Sequence, residues 1–195
     1  MSELGEVFRK PSAEIGRSDK PELVLVWDWP LRLWHWALAL FVSIAWFTPN
    51  EYDSLHRFAG YVVIGLLVFR LGWGFVGTRH SRFRTLRASL RAAPAYLWDL
   101  RHGNTGRYTG LNPAGAAMMV ALLSLLTIST ITGAMHVTVR FFGVWWVEDT
   151  HTYSSYAVMI LVLLHVIGAV VTSVLQRENL IAAMFTGRKR RRTGE

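Results

Sequence analysis

The sequence contains no cysteine. That absence removes disulfide frameworks, thiolate metal sites, covalent attachment of c-type haem and cysteine nucleophiles together, and leaves histidine, methionine or carboxylate to hold any metal. Carboxylates are themselves scarce: 13 acidic residues stand against 21 basic ones in 195, and none lies within the long apolar runs. No H-E-x-x-H string occurs, which disfavours a zinc protease. Internal repeats are missing, and low complexity is confined to a basic tail at 188–192. A cleavable signal peptide is not expected, because the first apolar run follows about 30 mostly polar residues and is itself of full span length.

What the chain has instead is apolar surface, with 52% hydrophobic residues and nine tryptophans. Four apolar runs, at about 31–48, 58–76, 113–135 and 153–175, each approach the roughly 20 residues that a helix needs to cross about 30 Å of hydrocarbon. They predict an all-α integral membrane protein, a four-helix bundle within 23–187, preceded by a polar segment at 1–22 and followed by a basic tail at 188–195. The net charge of +8 is spread unevenly. Basic residues crowd the segments before span 1, between spans 2 and 3, and after span 4, whereas only Arg57 and Arg140 lie in the other two connections. By the positive-inside rule both termini and the 77–112 loop face the cytoplasm. The tail then reads as a topology and lipid-headgroup feature, and nucleic acid is not an expected partner.

Pro30 suits the first turn of a helix, so span 1 is expected to start near Trp29. The short stretch 49–55 makes spans 1 and 2 antiparallel neighbours. Within the long loop, "TLRASLRAAPAYLWDL" sets Leu86, Leu90, Tyr96, Leu97 and Trp98 against Arg87, Arg91 and Arg101. It reads as an amphipathic helix in the interface, or as a docking helix for a soluble subunit. On the external side Phe141, Phe142, Trp145 and Trp146 cluster at headgroup depth. Glu51, Asp53, Glu148 and Asp149 give that side an acidic cast, which favours a basic redox partner unless they are only a solvated loop.

Of seven histidines, four lie in the spans or at their starts, at matching depths. Span 1 runs outward and spans 2 and 4 run inward, so His35 and His165 lie towards the cytoplasm while His56 and His151 lie towards the outside. His151 and His165 are 14 residues apart, about 21 Å of helix and close to four turns, so both project from nearly one face. Two level pairs result, His35 with His165 and His56 with His151. Such pairs suit two haems, each clamped by imidazoles from two helices, and two axial imidazoles leave iron no open position, which favours electron transfer over oxygen binding. Gly60, Gly65, Gly133 and Gly168 are candidates for the places where a macrocycle presses on a helix, although glycine is common in membrane helices for other reasons. The competing account makes each histidine a hydrogen-bonding link between helices, or leaves His56 and His151 solvated.

The stretches "VWDWPLRLWHW", "HRFAGYVVIGLLVFRLGWGFVG", "GLNPAGAAMMV" and "HTYSSYAVMILVLLHVIGAVVTSVLQRENLIAAMFTGRKR" resemble the bacterial cytochrome b561 family, in the branch that includes cytochrome b subunits of nickel-iron hydrogenases. The resemblance runs over nearly the whole chain beyond about residue 22. It implies two haem b groups in a four-helix bundle of the bacterial inner membrane, with His35, His56, His151 and His165 as iron ligands. It also implies polar contacts to the haem propionates, for which Arg32 and Arg57 are the candidates. Arg70 and Trp73 lie at the cytoplasmic end of span 2, near a plausible quinone edge, or are interfacial anchors.

The expected function is transmembrane electron transfer between a periplasmic redox partner, either a dehydrogenase or hydrogenase module or a c-type cytochrome, and the quinone pool. Membrane lipid and quinone complete the expected contacts, and a homo-oligomer is left open. Two alternatives stand beside it. A stand-alone superoxide:quinone oxidoreductase would need a cationic external funnel, which the acidic external loops disfavour. A non-redox anchor subunit would be colourless.

Overall fold

The computed structural model describes residues 23–48, 53–77, 83–102 and 111–190, so the polar segment expected at 1–22 lies outside the described residues. The first helix, α1 (Trp29–Phe47), begins where Asp28 Oδ1 accepts the Leu31 amide at 3.0 Å, with Pro30 in the first turn, where its missing N–H is no loss. After it come α2 (Asp53–Val76), α3 (Phe83–Arg101), α4 (Pro113–His136), α5 (Trp145–Gln176) and the short α6 (Leu180–Thr186). Asn112 and Asn179 cap α4 and α6 in the same way, accepting from the amides of Gly115 and Ala182.

Four of these helices, α1, α2, α4 and α5, are long and apolar enough to cross a membrane. Their outward faces expose Leu33, Leu40, Phe58, Val68, Ile131 and Ile160, a surface that lipid accepts and water does not. Neighbours pack in the order α1, α2, α4, α5, with α3 laid along α4. Buried Val63, Leu67, Leu126 and Val158 form an aliphatic layer across mid-bundle, with Leu38, Phe41, Val42 and Val162 around them. Val158 stands seven residues from both His151 and His165, so this layer lies two helical turns from either histidine.

α5 packs mainly on α4. Beyond Val162, Leu163, Leu164, Val166, Ile167, Val170 and Val171 are exposed, and no packing comparable to that on α4 joins α5 to α1 or α2. Over this stretch α1 and α5 meet through the rings of His35 and His165.

The expected all-α fold holds except at one end. There β1 (Leu23–Leu25) pairs antiparallel with β2 (Arg188–Arg190), Leu25 opposite Arg188. Gly187, at φ 77, turns the chain into β2, and its carbonyl accepts the amides of Val26 and Trp27 at 2.8 and 3.1 Å. Trp36 stacks on Phe185 with centroids 4.4 Å apart, and Arg32 Nη1 donates to the Phe185 carbonyl. Buried Lys189 sits 5.9 Å from the Trp27 ring centroid; desolvation pushes its ammonium below the ordinary lysine pKa, opposed by the Glu178 carboxylate. The basic tail expected from residue 188 is therefore bound into the fold through residue 190. This clasp ties α6, and with it the end of α5, to the start of α1. A run of arginines and lysine displays charge and conceals strand pairing, because no apolar alternation marks it.

Candidate functional site

The four span histidines meet in two pairs. His35, in the second turn of α1, faces His165 of α5 with ring centroids 6.4 Å apart. His56, in the first turn of α2, faces His151 of α5 at 6.1 Å. α5 begins at Trp145, so His151 is already in its second turn rather than ahead of the span. Two imidazoles that bound one metal from opposite sides at about 2.0 Å, each centroid about 1.2 Å behind its nitrogen, would stand about 6.4 Å apart, and both pairs are close to that separation. Among the described residues no three histidine or acidic side chains gather to hold a metal ion. Two ligands suffice only where the metal brings the rest of its coordination sphere with it, as haem iron does.

The pairs differ in their surroundings. His56 Nδ1 donates to the Ala45 carbonyl of α1, and His151 Nδ1 donates to the Ser129 carbonyl of α4, each at 2.8 Å. A carbonyl can only accept, so the proton is on Nδ1 and the Nε2 lone pair of both rings is available. The His151 ring lies against α4 because position 133 is glycine: a Cβ there would stand 2.9 Å from its Cε1 and 3.0 Å from its Nδ1. One turn further, Ser129 Oγ donates to Ser155 Oγ at 2.8 Å, and Ser155 Oγ donates to the His151 carbonyl at 2.7 Å. Ser129 and Ser155 were not legible as site residues; the four-residue spacing of Ser129 and Gly133 in an apolar helix was the available signal.

At the other pair, His35 Nδ1 is buried with no protein partner, and so is Arg32 Nε one turn earlier on α1. His165 is exposed. Arg70 is buried at 3% exposure, its Nη2 donating to Met119 Sδ at 3.6 Å and its guanidinium 5.8 Å from the Trp34 ring centroid. Beside it Trp73 Nε1 donates to Asp28 Oδ2 at 3.4 Å. Arg32, Arg70, Trp73 and Asp28 thus gather at the end of the bundle that holds His35. Arg57 is exposed and pairs with Asp53, one turn before it, at 2.9 Å. Gly60, Gly65 and Gly168 border open space where a side chain would be, unlike Gly133. Of the remaining histidines, His136 pairs with Glu148 at 3.0 Å, His102 donates to the Trp98 carbonyl, and His80 lies outside the described residues.

Four apolar spans that bring histidines of different helices face to face define a multi-pass membrane protein. The chain belongs to the prokaryotic cytochrome b561 family, whose sequence model matches residues 26–187. Curated relatives are similar over most of their length. A protein of Rhodobacter capsulatus is 26% identical over 85% of this chain and 81% of its own, one of Azotobacter vinelandii 27% over 86% and 89%, and one of Rhizobium leguminosarum bv. viciae 24% over 85% and 88%. Each is described as a probable Ni/Fe-hydrogenase B-type cytochrome subunit. No solved structure matches the chain. Family membership makes this a membrane electron-transfer protein of the haem b type.

Proposed function

We propose that the chain binds two b haems, one between His35 and His165 and one between His56 and His151, and that it links a periplasmic redox protein to the membrane quinone pool. The observation that carries this reading is the separation of the two imidazole pairs, 6.4 and 6.1 Å between centroids at opposite ends of the bundle. Each haem, when bound, supplies a one-electron carrier with no open coordination position. The protein's share is to fix and insulate. Carbonyls of Ala45 and Ser129 orient His56 and His151, and the aliphatic layer around Val158 keeps water from the space between the pairs. The orphaned Arg32 N–H is a donor that a propionate would take, and Arg57, next to His56 in the chain, is the second proposed propionate contact. Arg70 and Trp73 flank the proposed quinone edge.

The end that carries the clasp is cytoplasmic in this reading, and the bundle sits in the bacterial inner membrane, following the asymmetry of arginine and lysine. The periplasmic partner is a hydrogenase-type or other dehydrogenase module, in keeping with how the relatives are described, with a c-type cytochrome as the other candidate. Haem stoichiometry and alanine variants test the assignment. Two haems per purified chain are expected, with His35→Ala and His165→Ala losing the same one, and His56→Ala and His151→Ala losing the other. A single haem in the wild type, or a loss that groups His35 with His151, overturns it.

A further inference from the structure

Two imidazole pairs of the same composition need not make two equivalent redox centres. Both rings of the outer pair, His56 and His151, donate Nδ1–H to a backbone carbonyl at 2.8 Å. In the inner pair His35 Nδ1 is buried with no partner, and among the described residues no hydrogen bond is formed by His165 either. A carbonyl that draws the Nδ1 proton makes the opposite nitrogen more basic, and a more basic axial ligand stabilises ferric over ferrous iron. Charge is mixed at both ends, Arg32 and Arg70 with Asp28 at the inner one and Arg57 with Asp53 and His136 with Glu148 at the outer one, so the difference between the pairs rests on the contacts of their rings.

The outer contact also depends on one residue with no side chain. His151 reaches the Ser129 carbonyl because Gly133 leaves the surface of α4 open: an added methyl group would meet the ring itself, including the donating nitrogen at 3.0 Å. Backbone cannot move easily there, since the Ser129–Ser155 hydroxyl link holds α4 and α5 together at that level.

Resting on the two-haem reading above, we infer that Gly133 and the Ser129 carbonyl are positioning groups that hold His151 in a proton-donating contact and so make the outer haem the lower-potential centre of the two. Electrons entering from outside then run downhill towards the clasp end.

Potentiometric titration followed optically tests this. The wild type is expected to show two waves, and His56→Ala, lacking the outer haem, is expected to keep only the upper one. Gly133→Ala is expected to raise the lower midpoint potential and leave the upper one in place, or to lose the outer haem alone if the ring cannot be seated. Gly72→Ala, whose added methyl meets nothing within 4 Å, is expected to change neither. If His56→Ala keeps the lower wave, or Gly133→Ala leaves both potentials at their wild-type values, the inference fails while the two-haem reading stands. If the wild type carries fewer than two haems, it is that reading which fails.

Discussion

A histidine inside an apolar span is tolerated when its ring nitrogens are engaged, and within the protein only two of the four histidines meet that demand. His56 and His151 each give one nitrogen to a carbonyl, whereas His35 and His165 face each other with ring centroids 6.4 Å apart. The helices are also linked by single polar contacts such as Trp34 Nε1, which donates to the Leu66 carbonyl at 2.7 Å and joins α1 to α2. Trp34→Phe removes that donor and part of a buried ring, and is expected to cost at least about 0.6–2 kcal/mol, the range for hydrogen bonds between membrane helices, with the lost packing in addition, read as a lower unfolding midpoint in detergent. The four histidines were legible because a polar ring in a hydrophobic run is conspicuous. Ser129, Ser155 and the role of Gly133 were not, since hydroxyl and small residues are ordinary in membrane helices and only the approach of α5 to α4 gives these a task. Arg57 shows the reverse: proximity to His56 in sequence drew attention to it, yet four-residue spacing turns it to Asp53 on the exposed face of α2.

The clasp of β1, α6 and β2 is the element that charge pattern hid. Because the chain has no cysteine, a Leu25→Cys/Arg188→Cys variant can form only one internal disulfide; it is expected to cross-link on oxidation, seen as a mobility shift reversed by reductant. Gly187 is the hinge of the clasp, with φ at 77 and the Trp27 carbonyl 2.7 Å from where a Cβ would be. Gly187→Ala should cost at least the 1–2 kcal/mol, roughly, of a left-handed non-glycine residue and speed tryptic cleavage of the 188–190 segment. Lys189 adds a pH dependence. Its folded pKa is lowered, so the unfolded tail binds that proton more tightly, and clasp stability rises with pH between the lowered value and the ordinary 10.5, being flat below both. Slower tryptic release of the tail with rising alkalinity, corrected for the protease's own pH profile, is the expected result. The amphipathic α3 was legible from its arginine and leucine spacing, but its seat was not: it buries Ala93 and Tyr96, and Asn112 Nδ2 donates to the Tyr96 hydroxyl at 3.3 Å, just ahead of α4. Leu97 and Trp98 remain exposed on α3.

Taken whole, the bundle is a row of helices bent so that its first and last spans oppose each other, packed at mid-height and clasped at one end. Between those two fastenings α1 and α5 are joined through His35 and His165, so a group that bonds both histidines adds a third fastening. Chain produced in haem-deficient cells is therefore expected to unfold at a lower temperature than the haem-loaded protein, since anything bound to the folded state alone stabilises it, and to regain stability on adding haemin. The proposed orientation has its own check: a reporter fused after residue 195 should be active in the cytoplasm, and one placed between Val139 and Gly143 should be active outside.

Hydrophobic run length determined the number of spans, the arginine and lysine pattern proposed their direction, and helical rise along α5 put four histidines at two depths; all of these depend on local spacing, which a sequence states directly. The tertiary structure alone decided that the tail folds back on the start of α1, that α5 packs mainly on α4, and that His151 reaches the Ser129 carbonyl past Gly133. These depend on which backbones come within a few ångströms of one another, and residues more than 150 positions apart, such as Leu25 and Arg188, carry no mark of that approach in their order along the chain.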